Sequence, residues 1–149
     1  MLVKNILSSK APNPDAAIGV FTISPDATVA DAATILSSKR IGSLVASTDG
    51  VTADGILSER DIVREIGKRG PSCLSDTVGD MMTRNVKTCS TTDRADEILG
   101  RMTEGRFRHM PVTEDGKMIG IITLGDVVKA RLSELSMEKD ALEGMIMGH

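Results

Sequence analysis

At 149 residues, with 40% hydrophobic and 26% charged side chains, the chain has the make-up of a folded domain, and no apolar run approaches the ~18 residues that a membrane span needs, so no membrane is expected as a partner. A net charge of −3, no Trp, no Tyr and only Phe21 and Phe107 leave little on which bases could stack, which argues against nucleic acid. Cys73 and Cys89 have neither CxxC spacing nor clustered His around them, which argues against zinc, a redox pair or a disulfide scaffold and leaves two buried thiols.

The amino terminus, MLVKNILSSK, lacks the charged region, long apolar stretch and small-residue cleavage site of a secretory signal, so the cytoplasm is the expected compartment. Val3-Lys4-Asn5-Ile6-Leu7 reads as a short leader, followed by SSKAPNPDAAIG (8–19), whose Pro, Asn and Gly mark a surface loop. Val29, Ala32, Ala33 and Leu36 then stand at i, i+3, i+4 and i+7 and predict one apolar helix stripe. RIGSLVA (40–46), a tight hairpin turn at Asp49-Gly50, the strand GILS and a helix starting around Asp61-Ile62-Val63 complete a unit of strand, helix, strand, strand, helix.

Beyond the linker KRGPSCLSDT the same unit is written again. A leader Val78-Gly79-Asp80-Met81-Met82 precedes a stripe of Ala95, Ile98, Leu99 and Met102, then RFRHMPV (106–112), a turn at Asp115-Gly116, the strand GIIT and a helix from Asp126-Val127-Val128. The tail, 132–149, sets Leu135, Leu142, Met145 and Ile146 near one helical face, suited to packing on the body or on a second subunit. A unit of roughly 60 residues buries too little surface alone, so the two copies must share a core, and the cleft between them is a natural ligand site.

The repeated heptapeptides GILSERD and GIITLGD admit two readings. Ser58 with Asp61, and Thr123 with Asp126, have the [ST]-x-x-[DE] spacing of a helix capping box, which alone would account for them. Capping does not require the neighbours. Arg60, Arg108 and His109 supply charge and donors beside a helix N-terminus, which suits phosphate, while an Asp in a cleft can accept bonds from paired ribose hydroxyls. The plain reading of Arg108 and His109 is an exposed polar stretch of strand. His109 does not suggest a metal, because the other His, His149, lies in the tail, and no nucleophile, base and orienting group stand together as an enzyme would need.

With these residues in view, the chain resembles the tandem cystathionine β-synthase (CBS) domain proteins, the two-repeat arrangement called a Bateman module. TISPDATVADAATIL, RIGSLV and GILSERDIVREI, then VGDMMT, RFRHMPV and GIITLGDVVKARL, carry the likeness over almost the whole length. It implies an α+β fold of two β-α-β-β-α repeats with pseudo-two-fold symmetry plus a C-terminal helix: repeat 1 with its leader and loop over 1–70, repeat 2 with linker and leader over 71–133, and a helical tail over 134–149. It also implies an adenosyl ligand (AMP, ADP, ATP, NAD or S-adenosylmethionine) between the repeats, no catalytic cofactor, a disk-like homodimer, and a downstream protein that receives the signal.

By the same resemblance, Asp61 and Ser58 hold ribose and phosphate in one site, facing Thr88, Cys89, Phe107, Arg108 and His109 of the opposite repeat. Asp126 and Thr123 do so in a second, facing Thr22, Ile23, Ile41, Gly42 and Ser43. The first is the more basic, with Arg60 beside Asp61 where the second has Gly125 beside Asp126, so it is expected to hold phosphorylated ligands more tightly. The competing expectation is a ligand-free dimerisation module whose SxxD and TxxD motifs only cap helices.

Overall fold

The two helix stripes each close a small core, and the leaders complete those cores crosswise. A computed structural model describes residues 1–10 and 19–146. Its elements are α1 (Val3–Ser9), β1 (Thr22–Ile23), α2 (Val29–Lys39), β2 (Ser43–Ala46), β3 (Gly55–Ser58) and α3 (Glu59–Arg69), then a 3-10 turn over Pro71–Ser75. These are followed by α4 (Val78–Met81), α5 (Ala95–Gly105), β4 (His109–Glu114), β5 (Lys117–Thr123) and α6 (Leu124–Ile146). Most of the expected loop at 8–19 lies outside the described residues.

In the first repeat β1 runs parallel to β2, and β2 pairs antiparallel with β3 from Ser43–Ser58 to Ala46–Gly55. In the second repeat the first strand shrinks to one parallel bridge between Cys89 and Val112. The Cys89 amide donates to the Pro111 carbonyl (3.0 Å) and its carbonyl accepts from Thr113 (2.9 Å). The chain then turns at once, because the Ser90 amide donates to the Asp93 carboxylate (2.8 Å), and no longer strand can form. The second sheet is therefore β4 and β5, joined by the expected two-residue turn, with Asp115 and Gly116 both at positive φ, 53° and 79°.

The matching expectation for Asp49-Gly50 needs correction. Pairing of Ala46 with Gly55 leaves 47–54 as a longer loop. The Asp49 carboxylate accepts from the amides of Val51 (2.9 Å) and Thr52 (2.7 Å) and from the hydroxyls of Ser47 and Thr52. The side chain takes up backbone donors that a two-residue turn would have left to strand pairing.

Val29, Ala32 and Leu36 of α2 pack with Leu44, Leu57 and Ile62, and the core is finished by Val78 and Met82 of the second leader. Ala95, Ile98 and Met102 of α5 pack with Met110, Ile122 and Val127, and here Val3 and Ile6 of the first leader finish it. The docking is the same on both sides. The Val3 amide donates to the Asp93 carbonyl (2.9 Å) and the Val78 amide to the Ala27 carbonyl (2.8 Å), with bridges Leu2–Arg94 and Thr28–Thr77 beside them. A third cluster, Val20, Val45 and Met118 with Ile56 and Ile121, joins the two sheets.

The tail is the continuation of α6, a single helix about 35 Å long at 1.5 Å per residue. Val127 and Ala130 face the core, and Glu134 pairs with the terminal ammonium of Met1 at 2.9 Å. Beyond Glu134 every residue to Ile146 except Gly144 is exposed, so the tail does not pack on the body. No helix among the described residues is long and apolar enough to cross a membrane.

Candidate functional site between the repeats

Both capping boxes form in full. The Asp61 amide donates to the Ser58 hydroxyl (3.2 Å) while the Ser58 amide donates to Asp61 Oδ2 (3.0 Å). At the second box the Asp126 amide donates to the Thr123 hydroxyl (3.2 Å) and the Thr123 amide to Asp126 Oδ2 (2.9 Å). Each arrangement ends a strand and starts a helix within one residue, and it fixes one carboxylate oxygen while leaving the other for something else. What else each carboxylate meets differs between the two sites: Arg64 approaches Asp61 Oδ1, whereas Lys10 joins the Thr123 amide on Asp126 Oδ2.

Asp61 borders a cavity of about 690 Å³ between the repeats. Ser58, Arg60 and Asp61 enter it from the first repeat, Phe107, Arg108 and His109 from the second. Gly42 and Thr123, assigned by sequence to the other site, line this same cavity. Asp61 Oδ1 has one weak neighbour, the Arg64 guanidinium at 3.4 Å. The starts of α3 and α6 both border the space, so the positive ends of two helices face it.

Three further cations line the cavity that sequence reasoning did not single out: Arg64, Lys87 and Arg106. Arg64 lies one helical turn past Asp61, a spacing visible in ERDIVRE. Lys87 sits in the exit from the second leader, and Arg106 caps α5 in the left-handed region at φ 56°. With Arg60 and Arg108 these make five cations against the carboxylates of Glu59 and Asp61. Among the described residues Arg60, Lys87, Arg106 and Arg108 make no ion pair. Four uncompensated cations around one space, in a chain of net charge −3, focus a positive field there.

His109 reaches across to the first repeat. A Cβ built on Gly42 would lie 3.1 Å from His109 Nε2, so the absence of a side chain at 42 lets the ring sit over the entry to β2. Burial pushes the imidazole pKa below its ordinary value. Glu59 opposes that fall and Arg108 adds to it, with smaller opposed effects from Asp126 and Lys10.

At Asp126 the chain supplies its own cation. The Lys10 ammonium lies 2.8 Å from Asp126 Oδ2 and donates to the Ile121 carbonyl at 2.9 Å. Burial pushes the Asp126 carboxyl up, but Lys10 and the Thr123 amide and hydroxyl outweigh it and hold the pKa below the usual carboxylate range. Of the residues expected to face it, Thr22 and Ile23 form β1, Ile23 belongs to the first core with Ile41 packed against it, and Ser43 is buried on β2. Of the residues expected opposite Asp61, Thr88 and Cys89 are not among the residues that line the cavity, and the Thr88 carbonyl accepts from Arg101 (2.8 Å). Cys89 sits in the second core, where burial pushes its thiol up to about 12. Among the described residues no group of three or more His, Cys, Asp or Glu could hold a metal ion.

Compared with known proteins, the CBS domain profile matches this chain twice, over residues 13–68 and 78–133. The CBS domain-containing protein CBSX3 of Arabidopsis thaliana, named as mitochondrial, is 33% identical over 150 residues, spanning 98% of this chain and 72% of its own length. The crystal structure of a CBS-domain containing protein from Agrobacterium tumefaciens superposes with a TM-score of 0.79 at 38% identity, covering 88% of this chain and 99% of that one. The CBS domain pair of protein MJ0100, solved with 5′-methylthioadenosine and S-adenosyl-L-methionine, gives a TM-score of 0.73 at 26% identity, covering 90% of this chain and 98% of that one.

Proposed function

This chain belongs to the CBS-domain family, and from that membership we propose that it is a non-catalytic sensing module that binds an adenosine nucleotide between its repeats and relays its occupancy to a partner protein. The observation that carries the reading is the cavity itself: a carboxylate oxygen of Asp61 with one weak neighbour, set among four cations that make no ion pair among the described residues. Asp61 accepts from the ribose hydroxyls and Ser58 stands beside it. Arg60 and Arg108 take the phosphates, while Phe107 gives the base an apolar wall. The complex of the MJ0100 pair supports an adenosyl ligand. The charge in this cavity favours AMP, ADP, ATP or NAD over the sulfonium of S-adenosylmethionine, because like charges repel where water is partly excluded.

Binding acts as a signal only if it shifts the protein between arrangements by its differential affinity for them. The seam of Val20, Val45 and Met118 is where the repeats can shift, and a homodimer joined through the exposed Val63 and Ile66 is where the shift is read. One observation favours the competing reading of an empty dimerisation module: both capping boxes are complete, so the hydroxyl and carboxylate pairs already have structural work.

Thermal unfolding with each ligand separates the two readings. ATP or AMP at 100 times Kd adds about 2.7 kcal/mol to stability, and Asp61→Ala and Arg108→Ala each abolish most of that gain. A melting temperature that no adenosyl compound moves would leave the dimerisation module as the function.

A further inference from the structure

The exposed apolar residues of α6 follow a heptad. Val128, Leu132, Leu135, Leu142 and Ile146 are separated by four, three, seven and four residues, and Lys139 fills the one vacant place to give an unbroken alternation of four and three. Leu132 is 64% exposed, Leu135 48%, Leu142 58% and Ile146 84%, although each stands on the same seam. Met137 and Met145 fall outside it. A 3.5-residue repeat on one helix is the pattern that a second helix reads, each seam residue entering a hole between four of the partner's.

Three features point to a partner helix with this same sequence. The segment past Glu134 leaves the body and among the described residues packs on no other element, and helices of that length are marginal in water without a packed face. A parallel, in-register copy sets leucine against leucine at 132, 135 and 142 and isoleucine against isoleucine at 146. The lysine in the seam is also accommodated. Lys139 lies 3.9 Å from its own Glu143, and Glu138 flanks the seam one residue earlier, so in the parallel pair two ammonium groups sit among four carboxylates. A single lysine at such a position opposes slipped registers, which would set it against leucine.

We propose that the C-terminal half of α6 is a parallel coiled-coil zipper that joins two copies of this chain, separate from any contact made by the bodies and independent of the ligand reading. The zipper would clamp the two carboxyl ends together and make the tail pair, rather than the single tail, the surface offered to a downstream protein.

Cysteine trapping in the full chain tests it. Leu142→Cys places a thiol in the seam and Met137→Cys places one on the outer face of the same helix, while the native Cys73 and Cys89 are buried. Under mild oxidation at micromolar protein, Leu142→Cys is expected to form a disulfide-linked dimer on the order of a hundredfold faster than Met137→Cys, since neighbours in a seam meet at millimolar effective concentration. Sedimentation of the wild-type chain should show a dimer that Leu135→Glu combined with Leu142→Glu weakens at least tenfold. A chain that sediments as a monomer would overturn the zipper. So would a dimer in which positions 137 and 142 cross-link equally, which would place the interface on the bodies alone.

Discussion

His109 is the residue whose protonation the fold opposes most visibly. Its ring is wedged against Gly42 of the other repeat, with Glu59 and Asp126 favouring the charged form and Arg108 and Lys10 opposing it, and burial decides the balance. Because the folded pKa lies below the ordinary value near 6.5, the unfolded chain binds the proton first. The stability due to neutral His109 is whole above that value and is lost as pH falls below it toward the folded pKa. Melting temperatures measured from about pH 7 to about pH 5 should therefore fall in the wild type and fall less steeply in His109→Gln. Identical slopes would mean that the ring is hydrated in the folded protein.

The leaders are the elements whose placement matters most beyond their size. Val3 and Ile6 are buried in the second core, and Gly120 of β5 is pressed by Leu7, whose Cδ2 would be 2.8 Å from a Cβ there. Ile6→Ala should therefore lower stability in urea by about 2–5 kcal/mol, as for an interior residue of α5 such as Ile98. A loss below about 0.5 kcal/mol would describe a loose arm. This exchange was not legible in the sequence, because Val-x-x-Ile-Leu and Val-x-x-Met-Met carry the same apolar pattern and either core would accept either leader. What was legible is local: the stripes of α2 and α5, the two capping boxes, and the Asp115-Gly116 turn, each fixed by residues within a few positions of one another. Asp49-Gly50 misled because the carboxylate had closer partners than the opposing strand. Lys87 and Arg106 read one at a time as ordinary solvated cations, and only the fold gathers them.

At the scale of the molecule the pseudo-symmetry is also broken between the two carboxylates. Asp61 and Asp126 occupy equivalent places, yet Asp126 is joined to Lys10, 116 positions away, while the cation paired with Asp61 among the described residues is Arg64 of its own helix. No pattern in the sequence announces a pair so distant. The asymmetry bears on how many ligands a chain accepts. Titration calorimetry with ATP should give one site per chain for the wild type and a second, weaker site in Lys10→Ala. Two equal sites in the wild type would mean that the ammonium yields to the ligand without penalty.

The crossed leaders also decide what can be taken apart. A cut in the exposed stretch near Gly70 would leave neither half finished, since each fragment would carry off the plug for the other's interior. The halves would then be obliged to find each other again, which makes this chain a natural two-piece lock whose reassembly reports their meeting.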